Sequence, residues 1–394
     1  MFGCGEPVRS WSLPPHPAVA RLLERPELKQ AALERVLQAR SRSRWPLVVI
    51  GGALGIVGAV GAALANFGGP TANGRVHTVP SDERSVRLGV FDSSLPNLLE
   101  IDSGDVVVYP NTWSHFLNRL QPGVSIDDLA RLRRENPGKG PHSIIGPIGV
   151  RGAEHGDMLA IHFQRLVPVD WGATFVNPGD LGTGTLPDEF PRGQARYLPL
   201  DLATMTAQFL PGIHVPLGPF QGTVATAPAE DGVTSSVPPG QYAGNIDLRE
   251  LTEGSILYIP VWQPGAKLFT GDSHAAQGDG EVNNQALESA MREVRIQVVL
   301  HKQVPWTWPM AETTTHWIVM GIDRDLNEAF RIATRNTIDF LSLRTGMSRL
   351  DAYSLASIAV SFRVTQFVDQ TRGIHAMIPK ALFAEELRRT VAIV

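Results

Sequence analysis

Hydrophobic and polar positions divide this chain into three stretches of different rhythm. The first holds Leu47 to Ala65, 19 residues without a charge, preceded by Arg35, Arg40, Arg42 and Arg44. The second, from Val76 to about Val304, consists of short apolar runs between turns. Val106–Tyr109, Met158–Leu166 and Ser255–Trp262 read as strands, with Pro260 marking an edge or a strand end. In Glu293–Leu300, Val294, Ile296 and Val298 alternate with Arg295 and Gln297, the period of a half-buried strand. Gly104-Asp105 and Gly156-Asp157 are turns that precede strands, and residues 177–240, rich in Pro, Gly and Thr, read as long surface loops.

The third stretch changes period. Leu326, Ala329, Phe330, Ala333, Ile338 and Leu341 recur at helical spacing within residues 323–344, and Gly346 ends the run. Ser348 and Asp351 form a capping box for a second helix through Tyr353, Leu355, Ala356, Ile358 and Ala359. Two helices after a long β stretch predict an α+β fold, β-rich and sandwich- or barrel-like, with C-terminal helices.

Composition sharpens this picture. With 38 Gly and 30 Pro in 394 residues the chain favours turns and short strands, and 43% apolar residues suffice for a core. A net charge of −4 argues against nucleic-acid binding. Cys4 is the single cysteine, which excludes an internal disulfide and a cysteine zinc site.

The apolar run after a basic flank, with Ala63-Leu64-Ala65 as a small-x-small site, predicts an export signal or a membrane anchor. As a helix it would span about 28 Å. The expected organisation is a basic segment over 1–45, the signal peptide or anchor over 46–66, a linker over 67–85 and a folded domain over 86–394. The location expected is exported or membrane-anchored.

The densest chemistry lies between Asn245 and Glu288. Asp272 and His274 stand two apart, and in an extended segment both face one side. That arrangement suits a divalent metal such as zinc with N and O ligands. Glu281, on the next glycine turn, serves as a further ligand or a proton carrier. The same residues also describe a solvated Asp- and Gly-rich turn.

Several motifs resemble the acetamidase/formamidase family. They are Ala243-Gly244-Asn245-Ile246-Asp247, Ile259 to Ala266, and Gly271 to Glu281, read GDSHAAQGDGE. Others are His142-Ser143-Ile144-Ile145-Gly146-Pro147, Val150 to Asp157, Pro216 to Gly222, and Ile374 to Lys380. The similarity covers about residues 86–385. Departures are Asn283-Asn284-Gln285, where the family often has Cys-Gly-Thr, and Ile145, where it has Thr. A third is Tyr109 to Trp113, where the family often shows an acidic residue.

The resemblance implies hydrolysis of the C–N bond of small linear amides to a carboxylic acid and ammonia, and some members resemble zinc enzymes. In that setting Asp272, His274 and Asp247 are the expected metal ligands, and Glu281 and His142 the expected catalytic groups. Asn245, Gln277 and Asp279 are the expected substrate contacts. A small-molecule amide is the expected partner, with a homo-oligomer and, if residues 46–66 are uncleaved, a membrane. The alternatives are a non-catalytic exported or anchored binding protein on the same fold and a lactamase acting on cyclic amides.

Overall fold

The computed structural model describes residues 74–390. The basic segment, the signal or anchor segment and part of the linker predicted from sequence lie outside the described residues. Among the described residues no helix is long and apolar enough to cross a membrane.

Two large sheets share one core. The 9-stranded sheet runs in the order Val76–Thr78, Val106–Pro110, Met291–His301, Met158–Pro168, Ile256–Pro260, Met310–Glu312, His316–Asp323, Arg372–Pro379, Ser361–Val364. The 11-stranded sheet is built around Leu268–Ala276, which lies between Leu287–Glu288 and Phe220–Ala225 and also pairs with Ser143–Val150. Beyond Leu287–Glu288 it continues through Trp171–Val176, Gln194–Asp201, Thr206–Leu210 and Ile213–Pro216.

Alternation along the central strands of the first sheet explains the layering. Leu159, Ile161 and Phe163, with Leu257, Ile259, Ile296 and Val298, enter the core shared with Ile145, Ile148, Phe220, Val224 and Leu268 of the second sheet. Their neighbours Met158, Ala160, Tyr258, Val299 and Val319 point the other way, against Phe340, Leu341, Ala352 and Ala356. Buried on both faces, these strands read as nearly unbroken apolar runs. The result is sheet, sheet, then helices, the β-rich α+β arrangement with C-terminal helices predicted above.

Both C-terminal helices follow their signals. Leu326–Thr345 is capped by Asp325 and stops at Gly346, whose φ of 73° suits glycine. Arg349–Ala359 begins at Ser348, whose hydroxyl accepts the Asp351 N–H. Gly321 lets the first helix lie directly on its strand, since a Cβ there would sit 2.3 Å from the Ala329 carbonyl oxygen.

Two expectations need correction. Residues 177–240 are not surface loop. They hold Gln194–Asp201, Thr206–Leu210, Ile213–Pro216, Phe220–Ala225 and Val233–Ser235. Phe220–Ala225 is buried at every position; its small residues hid it from a reading keyed to bulky apolar side chains. The stretch before Val304 also contains a helix, Ile126–Glu135, capped by Ser125 accepting from the Asp128 N–H.

The two Gly-Asp turns share one device. Asp105 accepts the Arg75 and Asp102 N–H groups at 2.8 and 3.0 Å and meets His77 Nε2 at 2.8 Å. Asp157 accepts the Glu154 and Gln303 N–H groups at 2.8 and 2.9 Å and Lys302 Nζ at 2.6 Å. Each buried carboxylate joins the start of one strand to the end of another.

Candidate active site

His115, His142, Asp247, Asp272, His274, Glu281, Glu288 and Asp369 converge on one cavity of about 20 Å³. That is room for about one water molecule or an ion. Asp272 and His274 come from the strand Leu268–Ala276, with Glu288 opposite His274 on the paired strand. The GDSHAA half of the motif is therefore strand and not a glycine loop. Gly271 serves close packing: a Cβ there would lie 2.4 Å from the Ser143 carbonyl oxygen.

Backbone strain sets the geometry. Asp247, Asp272 and Glu281 take φ of 49°, 61° and 46°, a region non-glycine residues rarely occupy. His115 precedes three left-handed residues, Phe116, Leu117 and Asn118 at 55°, 55° and 67°. That turn is held by the Phe116 N–H on the Pro141 carbonyl at 2.7 Å and the Leu117 N–H on Ser143 Oγ at 3.1 Å. Gly222 forms the floor, where a Cβ would lie 2.5 Å from Asp247 Oδ1, 2.6 Å from His274 Cε1 and 2.7 Å from Asp272 Oδ2.

Charges inside are paired in part. Asp272 Oδ1 is 2.6 Å from His115 Nε2 and 3.3 Å from His274 Nε2; His142 Nε2 is 3.9 Å from Oδ2. Glu288 Oε2 lies 3.2 Å from both His115 Nε2 and His274 Nε2. Burial pushes the Asp272 carboxyl up, but His274, His142 and His115 hold it well below the usual range. Burial pulls His274 down, yet Glu288 and Asp272 raise it well above 6.5. Burial lowers His142 to about 4, so its ring is neutral at neutral pH.

Across the cavity the carboxyls crowd. Burial, then the charge of Asp369, raises Glu281 well above its ordinary value; burial, then Glu281 and Asp369, does the same to Asp247. Burial lifts Asp369 to about 7.

The donor set fits a divalent cation. Ligand atoms of Asp247, Asp272 and His274 lie within 4.8 Å of one another, as do those of His115, His142 and Asp272 and those of Asp247, Glu281 and Asp369. Both carboxylate oxygens of Asp247, His274 Nδ1 and Glu281 Oε2 are buried with no hydrogen-bond partner. Asp272 and Glu288, 3.3 and 3.2 Å from His274 Nε2, set negative charge against this point, and a cation bound there would meet that charge.

Of the residues singled out from sequence, Asp272, His274, Asp247, Glu281, His142 and Asn245 all line the cavity. Gln277 and Asp279 do not. Gln277 faces an adjoining cleft and donates to the Asp247 carbonyl at 2.9 Å. Asp279 is exposed near Arg249 and Arg363, at 3.8 and 3.9 Å. They follow the strand end at Ala276, where the chain turns away. Sequence reading missed His115, Glu288, Asp369, Arg133 and Gly222. His115 and Asp369 lie far from the motif in sequence and carry no local pattern; Glu288 lies within the Asn245–Glu288 stretch itself.

The family model for the acetamidase/formamidase family matches residues 91–236 and 229–385. A formamidase from Methylophilus methylotrophus is 25% identical over 320 residues, covering 63% of this chain and 78% of that protein. An acetamidase from Mycolicibacterium smegmatis is 27% identical over 36% of this chain and 49% of its own. Among the curated relatives matched, two are spanned over only about half their length, 47% and 49%. The crystal structure of an acetamidase from Bacillus halodurans superposes with a TM-score of 0.70 at 27% identity, covering 79% of this chain and 99% of that one. The matched residues take in the strands, turns and helices that frame the cavity, and on that extent of agreement the chain belongs to the acetamidase/formamidase family.

Proposed function

We propose that this cavity hydrolyses the C–N bond of a small linear amide, releasing a carboxylic acid and ammonia. The observation that carries the reading is the enclosure of three histidines and five carboxyls around about 20 Å³ in a chain of this family. Its relatives include a formamidase and acetamidases.

Asp272, His274 and Asp247 would hold a divalent cation, and zinc is the first ion to test against this N and O set. Bound there, such an ion polarises an amide carbonyl and acidifies water. Glu281 is placed for proton transfer because its carboxyl lines the cavity with Oε2 buried and unpartnered. It takes a proton from water as the oxygen bonds to the amide carbon. It returns that proton to nitrogen as the C–N bond breaks, so RCONH₂ and H₂O become RCOOH and NH₃.

His142 Nδ1 sits 2.7 Å from Ser236 Oγ. With Nδ1 accepting from that hydroxyl, the neutral ring carries its proton on Nε2, where it can stabilise the developing oxyanion. Asn245, whose Oδ1 is held by the Thr223 hydroxyl at 2.7 Å, orients the amide.

Ammonia release from formamide, acetamide and propionamide, with and without chelator, tests the reading. Turnover that chelator abolishes and zinc restores is expected. His274→Ala should lose both bound metal and turnover; full metal content in that variant would remove His274 from the ligand set. The apolar run over 47–65 supports export or anchoring of the domain, to be checked by cell fractionation and N-terminal sequencing.

A further inference from the structure

The cavity mouth carries a cation that the chemistry above does not use. Of the lining residues only Arg133, Val237 and Asn284 are partly exposed, so they frame the opening. Arg133 is the sole lysine or arginine among the lining residues. It sits in the last turn of Ile126–Glu135, a helix fixed by buried Leu129, Ala130 and Leu132.

The other two arginines near it are committed elsewhere. Arg131 pairs with Asp128 and Arg134 with Asp180, each at 2.7 Å. Among the described residues no carboxylate lies within ion-pair distance of the Arg133 guanidinium, and no hydrogen bond occupies it. Asp369, the carboxylate whose charge it feels, has Oδ1 held by Asn284 Nδ2 at 3.1 Å and lies beyond ion-pair distance of Arg133. A partly buried guanidinium with a free planar fork is the group best matched to a carboxylate.

We propose that Arg133 binds a carboxylate on the acyl chain of the substrate, so that the amide hydrolysed here is an amic acid. The proposal rests on the amide-hydrolysis reading and narrows its substrate class. The amide end reaches the cavity, whose interior of about 20 Å³ has room for the ion or water, from its opening, and the carboxylate remains at the mouth. Water oxygen bonds to the amide carbon, the C–N bond breaks, and nitrogen leaves as ammonia with one proton from water; the new carboxyl then gives its proton to ammonia, leaving a dicarboxylate and ammonium. At the mouth the anion shares the field of Arg133 with Asp369, while Asp272 and Glu288 lie on the buried strands.

Two measurements test it. The first is kcat/KM for succinamate against butyramide, of similar length without the charge. The intact chain should favour succinamate at least about tenfold, and Arg133→Met should cut that ratio by about 10–100-fold, mainly through KM, as expected for loss of a charged hydrogen-bonded pair. Arg133→Lys should recover part of it. The second is calorimetric binding of succinate against butyrate, which needs no turnover: succinate should bind more tightly, and Arg133→Met should remove the difference.

A ratio unchanged by Arg133→Met overturns the proposal. So does an equal fall for both amides with a displaced pH profile, which would mean that Arg133 only balances Asp369. Absence of ammonia from either amide, with the succinate preference intact and dependent on Arg133, would sink the amide reading and leave the carboxylate subsite standing. Absence of both would sink the two together. Should Arg133→Met fail to fold, the Lys variant and a salt titration of succinate binding decide.

Discussion

Gly222 lies in a fully buried strand, and the volume it leaves empty is the volume the three nearest polar side chains share. Gly222→Ala should therefore fold while losing turnover by about 10²-fold or more, because a displacement of about 1 Å at a reacting centre costs that much. Metal content, turnover and Tm on this variant check it; normal turnover would mean that the floor yields. Glu281→Gln keeps shape and cannot accept a proton. Its kcat should fall by about 10²–10⁴ with KM nearly unchanged, and a loss of metal instead would make Glu281 a ligand. Six of the eight residues expected at the site were legible in the sequence because Asp272, His274, Glu281 and Asn245-Ile246-Asp247 stand in dense polar motifs, and His142 in a matched one. His115 was not legible, since what aims it is a run of left-handed residues, Phe116 to Asn118, whose side chains give no hint of that backbone.

At the scale of elements, the turn carboxylates contribute to acid stability. Burial pushes Asp105 up, but the Asp102 N–H, His77 and the Arg75 N–H leave it below 3.8. Burial also pushes Asp157 up, against Lys302 and the N–H groups of Gln303 and Glu154, with the same net lowering. A carboxyl lower in the folded than the unfolded chain adds stability in full above the unfolded value, and loses it as pH falls through the folded one. Stability of the intact chain should thus fall below about pH 4. Asp105→Asn or Asp157→Asn should each cost about 1.5–3 kcal/mol at neutral pH and flatten that acid limb. Denaturant midpoints at pH 7 and pH 3.5 decide, and parallel curves for variant and parent would refute the assignment.

The same scale explains what could be read of the fold. Strands buried on both faces, such as Met158–Pro168, and helices with caps, such as Arg349–Ala359, announce themselves. Phe220–Ala225 does not, because it is built of small and polar residues whose burial serves the cavity. Ile126–Glu135 was legible in principle from Ser125 and Asp128, and its charged run, three arginines within Arg131–Arg134, obscured it.

For the whole molecule, the core between the sheets carries the stability. Phe163 is fully buried there. Phe163→Ala should cost about 3–5 kcal/mol, read from equilibrium unfolding, with the site lost in the same transition because both sheets lean on that core. Separate transitions for the sheet signal and for metal release would show that the site survives without it.

The cavity draws its walls from residues between His115 and Asp369. During synthesis Asp369 emerges last, after every other group is present. Completion of the cavity wall therefore waits for nearly the entire domain to leave the ribosome. Non-local pairing of this kind is slow, since loop closure must precede the contacts that reward it. A nascent chain halted before Asp369 would lack the strand Arg372–Pro379 as well, so the cavity wall and the first sheet are finished by the same last stretch of chain.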